Sequence, residues 1–125
     1  MKGSLKGSIY LIRGEYILLD ADLAELYGCT VRTIRMHTLR DAALFPKGSV
    51  RRLTRMEKEA VLAQNPSAKL GKRSDSITWV YTEEAALFME ELLCTAPSDA
   101  RGKIRRAFAR MRRYYRECEK EYLGG

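Results

Sequence analysis

The sequence holds little of what metal binding or acid–base chemistry requires. One histidine, His37, and three scattered cysteines, Cys29, Cys94 and Cys118, are its whole supply of imidazole and thiol. A tetrahedral zinc site draws four such ligands at short spacings, so none is expected. An odd number of distant thiols is no disulfide framework either, and reads as reduced, buried or half-buried cysteine in a cytosolic protein. No run reaches the roughly 18 apolar residues needed to cross a bilayer. No early charged-then-apolar segment resembles a secretory leader. A phosphate-cradling glycine loop is missing, as is a cysteine–histidine pair at useful spacing, and one histidine supports few acid–base schemes. The expectation is a protein that is not an enzyme, with no metal and no cofactor.

What is present is charge, gathered in one place. The 125 residues carry a net charge of +7. Between Arg101 and Arg116 stand Lys103, Arg105, Arg106, Arg110, Arg112 and Arg113, and no acid interrupts these eight basic side chains. The rest of the chain has 15 basic residues against 16 acids, so it is close to neutral. A concentrated excess of this kind suits the electrostatic footprint of a polyanion; the plainer account is a solvated helix face. The length is that of one domain able to bury its own core.

Local patterns divide the chain into short elements. Residues 8–13 and 16–20 are β-branched and aromatic runs around Gly14-Glu15, the pattern of a hairpin. Asp20 is placed to cap a helix over 21–27, and Gly28 suits the left-handed position that ends it. Thr30 can cap a second helix over 31–43, which Pro46 keeps short. A short strand is expected over 49–53. Thr54 and Glu57 have capping-box spacing and open a helix ending near Asn65. Residues 67–76 read as a loop, and 77–81 as the strongest single strand. Thr82, followed by Glu83 and Glu84, starts a helix to about residue 95.

Beyond Pro97, Ser98 or Asp99 opens the longest helix, to about residue 122. Its apolar positions Ile104, Phe108, Met111, Tyr115, Cys118 and Tyr122 are spaced 4, 3, 4, 3, 4. That is a heptad seam, which can dimerise or pack on the chain's own core. The fold class is therefore α+β: a small antiparallel sheet with an embedded helix-turn-helix and a long C-terminal amphipathic helix. Residues 1–97 form the core of a single domain, and 98–125 the basic helix.

The stretch DLAELYGCTVRTIRMHTLR carries the sharpest functional signal. In its first helix Leu23, Ala24 and Tyr27 share a face; in its second, Val31, Ile34, Thr38 and Ala42 do. The opposite face of the second presents Arg32, Met36 and Arg40, flanked by Thr33 and His37, with Arg35 at the edge. Two helices joined at a glycine, the second capped and polar on its outer face, form a helix-turn-helix pattern. A major groove admits one helix, and an arginine fork can hold guanine O6 and N7 together. An ordinary helical hairpin with a solvated basic face would look much the same.

The string IYLIRGEYILLDADLAELYG resembles the opening of KilA-N-type amino-terminal domains of phage regulators, in the branch named from phage open reading frame six. The likeness continues through Thr33-Ile34-Arg35, Phe45-Pro46 and Leu53-Thr54, resumes at VYTEEAALFMEELL, and returns at IRRAFARMR. It implies a DNA-binding domain of phage antirepressors and related mobile-element proteins, in the bacterial cytosol or nucleoid. This chain departs from the family's pattern at Arg35, where asparagine is common, at Arg40-Asp41, and in the polar strand around Val50-Arg51-Arg52. Base preference cannot be carried over.

The expected function is transcriptional regulation through double-stranded DNA by a phage, prophage or other mobile-element protein. Arg32, Thr33, Arg35, Met36, His37 and Arg40 would read bases, while Lys69, Lys72, Arg73, Arg105, Arg106, Arg112 and Arg113 would hold phosphates. A homodimer would form through the seam. The alternative is an antirepressor or host-takeover factor whose C-terminal helix docks on a repressor or host protein.

Overall fold

The computed structural model describes residues 8–70, 77–93 and 96–124. Strands β1 (Ile9–Ile12) and β2 (Glu15–Leu19) form the expected hairpin, paired Ile12 to Glu15 at its tight end. The turn is Arg13-Gly14, one residue earlier than Gly14-Glu15. Both residues have positive φ, 53° and 78°, as the right-handed twist of a two-residue hairpin requires. Strand β4 (Trp79–Tyr81) lies against β2, and β3 (Val50–Arg52) closes the sheet in the order β1-β2-β4-β3, antiparallel throughout. The polar strand β3 does not fray: backbone bonds from Leu53 to Thr78 and from Thr82 to Ser49 extend its pairing at both ends.

Alternation along the strands divides the apolar residues between two faces. Ile9, Leu18 and Tyr81 point to one side, where helices α1 (Asp20–Tyr27), α2 (Val31–Arg40), α4 (Glu83–Leu92) and α5 (Ala100–Gly124) contribute Leu23, Ile34, Met89 and Phe108 to a shared core. Tyr10, Ile17, Leu19 and Val80 point to the other, covered by Val61 of α3 (Arg55–Gln64). The molecule is thus α+β, with a four-stranded sheet between a helical layer and a single helix.

The capping signals act as expected at three helices. Thr30, Thr54 and Thr82 accept from the amides of Thr33, Glu57 and Ala85, and Glu57 completes its capping box. At α1 the expectation is corrected. Leu19 takes the N-cap position and no side chain caps the helix. Asp20 begins the helix instead, and its carboxylate turns inward.

Helix α2 is also shorter than expected. Asp41 donates back to the His37 carbonyl, and the Leu44 amide then bonds the Asp41 carbonyl, tightening 42–44 into a 3₁₀ turn. Ala42 therefore leaves the inner face it was expected to share and becomes exposed. The loop reading of 71–76 lies outside the described residues, whereas α4, expected to run to about residue 95, ends at Leu92, because Leu93 is extended and its amide turns back to the Glu90 carbonyl.

Candidate nucleic-acid interface

Helices α1 and α2 are joined by three residues, Gly28, Cys29 and Thr30. Gly28 sits at φ 72°, ψ 32°, a conformation open to glycine and strained for most side chains. The Cys29 amide donates to the Ala24 carbonyl and finishes α1, while Thr30 begins α2. The hairpin is held from inside: Tyr27 Oη donates to the Ala86 carbonyl at 2.7 Å, and the Thr38 hydroxyl lies 2.8 Å from the Ile34 carbonyl and 2.7 Å from Tyr81 Oη. Ile34 is fully buried. Burial pushes the Tyr81 hydroxyl up to about 12, which keeps this buried network neutral.

The outer side of α2 sorts the expected base readers. Arg32, Met36 and Arg40 are exposed, and Arg32 makes no ion pair among the described residues. Arg40 rests on His37 Nδ1 at 2.9 Å and on Asp41 at 3.4 Å. Thr33 is half-buried, with its hydroxyl 3.0 Å from that of Thr30. Arg35 is engaged in a different way. Its Nε donates to Asp20 Oδ2 at 2.9 Å, and its Nη2 donates to the Ile77 carbonyl. Asp20 Oδ2 also accepts the Trp79 amide at 3.1 Å. One buried carboxylate thereby ties the start of α1, the middle of α2 and the start of β4 together. Arg35 is a clamp of the hairpin, with its fork turned toward the protein. The position of Asp20 at the head of α1 signalled helix capping; a salt bridge across 15 residues could not be read from spacing.

Leu39 is the residue that the sequence reading passed over. It is more exposed than Met36 and lies on the same side of α2. A leucine out of phase with the Ile34–Thr38 stripe was the available signal.

The expected phosphate holders separate similarly. Lys69 lies against the carboxylates of Glu25 and Asp22, which fastens the loop after α3 to α1. Burial pushes the Asp22 carboxyl up to about 6, against the pull of Lys69 and with Glu25 and Asp20 adding to the rise. Lys72 and Arg73 lie outside the described residues. On α5, Arg112 bonds Glu83 at 2.8 Å, Arg101 bonds Glu90 at 3.3 Å and Lys103 bonds Asp99 at 3.1 Å. Arg106 folds back over Gly102. Arg105, Arg110, Arg113 and Arg116 are exposed and make no ion pair among the described residues.

The heptad seam is divided. Ile104 and Phe108 are buried in the chain's own core, Met111 packs at its edge, and the Tyr115 ring lies 6.1 Å from that of Tyr16. Cys118 is exposed, and the Tyr122 side chain lies outside the described residues. Core packing therefore takes the front of the seam expected to serve a dimer.

Another basic cluster stands at the hairpin turn. Glu57, buried, receives Arg51 at 2.8 Å and Arg13 at 3.1 Å. Burial alone would raise this carboxyl; Arg51, the Thr54 amide and Arg13 outweigh it and hold it below the usual range. Among the described residues no helix is long and apolar enough to cross a membrane.

No curated protein matches this chain, and no solved structure does. A family model described as the ORF6N domain matches residues 7–90, which takes in the hairpin, the α1–α2 pair, the whole sheet and most of α4, and leaves α5 beyond it. The match spans well over half of the 125 residues, and the chain belongs to the ORF6N domain family.

Proposed function

We propose that this chain binds double-stranded DNA as a regulator from a phage, prophage or other mobile element, with α1 and α2 acting as a helix-turn-helix and α2 entering the major groove. The observation that carries this reading is the outer stripe of α2. Arg32, Met36 and Arg40 stand exposed on a helix whose inner side is locked by Ile34 and Thr38. A three-residue turn and the Arg35–Asp20 clamp set its angle. A docked recognition helix must be rigid behind and extended in front, and an exposed arginine there can take a guanine edge in two hydrogen bonds. Arg105, Arg110, Arg113 and Arg116 would add contacts to phosphate that carry no sequence information.

The family supports a phage-type regulatory domain, and DNA binding is our reading of this surface within it. The protein-docking alternative is weakened by the burial of Ile104 and Phe108, which removes the front of the seam from any partner's reach. The deciding experiment is selection of bound sequences from random duplexes, followed by affinity measurements over a salt series. The expected result is an enriched motif and an affinity that falls steeply with salt, as counterions return to the backbone. Failure to retain any duplex at low salt overturns the proposal.

A further inference from the structure

Leu39 and Met36 are 63% and 50% exposed. An amphipathic helix packed on one side normally offers polar groups on the other. At about 100° per residue, Arg32, Met36 and Leu39 fall in one stripe roughly 60° wide, with Arg40 at its margin. Two exposed apolar side chains thus lie between two arginines. Arg32 has no ion pair among the described residues, and the contacts of Arg40 to His37 and Asp41 are exposed and easily exchanged.

We propose that Met36 and Leu39 form an apolar seat for the C5-methyl group of thymine, so that the DNA taken by this protein carries thymine between guanines held by Arg32 and Arg40. The inference rests on the DNA-binding reading above and specifies its target. On base edges in the major groove the thymine methyl is the apolar group on offer, and guanine is the base whose O6 and N7 match an arginine fork. The dimensions agree. A rise of 1.5 Å per residue puts Arg40 about 12 Å along the axis from Arg32, which is three to four base-pair steps of about 3.4 Å. Met36 and Leu39 fall between. A partner protein is the poorer occupant, because two side chains supply a small part of the roughly 1,000 Å² that a specific interface buries. The flanking arginines suit a polyanion.

The test uses the full chain and the duplex recovered by selection. Each thymine in turn is replaced by deoxyuridine, which removes the methyl and keeps the O4 acceptor. At the contacted thymine, affinity is expected to fall about four-fold, the worth of one buried methyl-sized group. The double variant Met36→Ala, Leu39→Ala should bind the thymine and uracil duplexes equally. Both positions are exposed, so the variant should keep its melting temperature, which is measured alongside. If the wild type binds a defined motif yet ignores every uracil substitution, or if the double variant still discriminates, the inference is overturned while DNA binding stands. If no duplex is retained at low salt, the underlying reading falls and takes this inference with it.

Discussion

Helices α2 and α5 are both basic and amphipathic, and they differ in what their outer sides offer. The outer side of α2 mixes two exposed arginines with Met36 and Leu39, and its third arginine, Arg35, is tied into the protein. The outer side of α5 carries Arg105, Arg110, Arg113 and Arg116, while Arg101, Lys103 and Arg112 are committed to acids. A mixed surface can tell one base edge from another; a run of guanidinium groups attracts any phosphate backbone alike. Under the proposed function α2 would discriminate and α5 would grip, and each role can be broken separately.

The largest effect is expected where α5 joins the core. Phe108→Ala should cost about 3–5 kcal/mol of stability in urea unfolding, whereas Tyr114→Ala, on an exposed side chain of the same helix, should stay within about 0.5 kcal/mol. Equal losses would mean that α5 does not divide between core and solvent as described.

The charge comparison comes next. Changing Arg105, Arg110, Arg113 and Arg116 together to glutamine should reduce the slope of log affinity against log salt by about 3 to 4, and weaken all duplexes alike. Arg32→Ala should cost about 1–3 kcal/mol on the selected duplex and relax preference at one base position, with a slope change near 1 at most. If the α5 variant alters the preferred motif and the Arg32 variant does not, the two roles are reversed.

A smaller effect concerns the fastening of α1. The folded pKa of Asp22, about 6, lies above its ordinary value of 3.8. The folded state therefore takes this proton more readily than the unfolded one. The contribution of Asp22 to stability is greatest below about pH 4, declines as pH rises to about 6, and is level above. Asp22→Asn should flatten stability between those limits and raise it at pH 7 by on the order of 1–2 kcal/mol, the pull of Lys69 being already contained in the raised pKa. Thermal unfolding across pH 4–7 measures this, and an unchanged pH profile would show that Asp22 is not desolvated as described. The smallest effect is at the turn: Thr30→Ala should cost about 1 kcal/mol by leaving the Thr33 amide without its cap. Amide exchange at Thr33 should accelerate in that variant.

Much of the local structure was legible because it depends on neighbours in the chain. Gly28 and the caps at Thr30, Thr54 and Thr82 act within four residues, and their side chains find the amides that spacing predicts. Asp20 shows where this stops. As a cap it had one amide to satisfy; in the fold it meets Arg35 and the Trp79 amide, 15 and 59 residues away, and those contacts prevail because the carboxylate is buried and must be fully bonded. The candidate site follows the same division. Arg32, Met36 and Arg40 were placed on the outer face by periodicity and remain there, whereas Arg35 was drawn inward by a partner that periodicity does not reveal.

The amino-acid order by itself determined the α+β class, the helical hairpin around Gly28 and the concentration of charge after residue 100, because each rests on side-chain period, backbone preference or composition. The tertiary structure alone decided which charges are spent. Ion pairs and burial depend on distances between segments far apart in the chain, and it is these that commit Arg35, Lys69 and Arg112 to the protein's own acids and leave Arg32 and the outer arginines of α5 facing solvent.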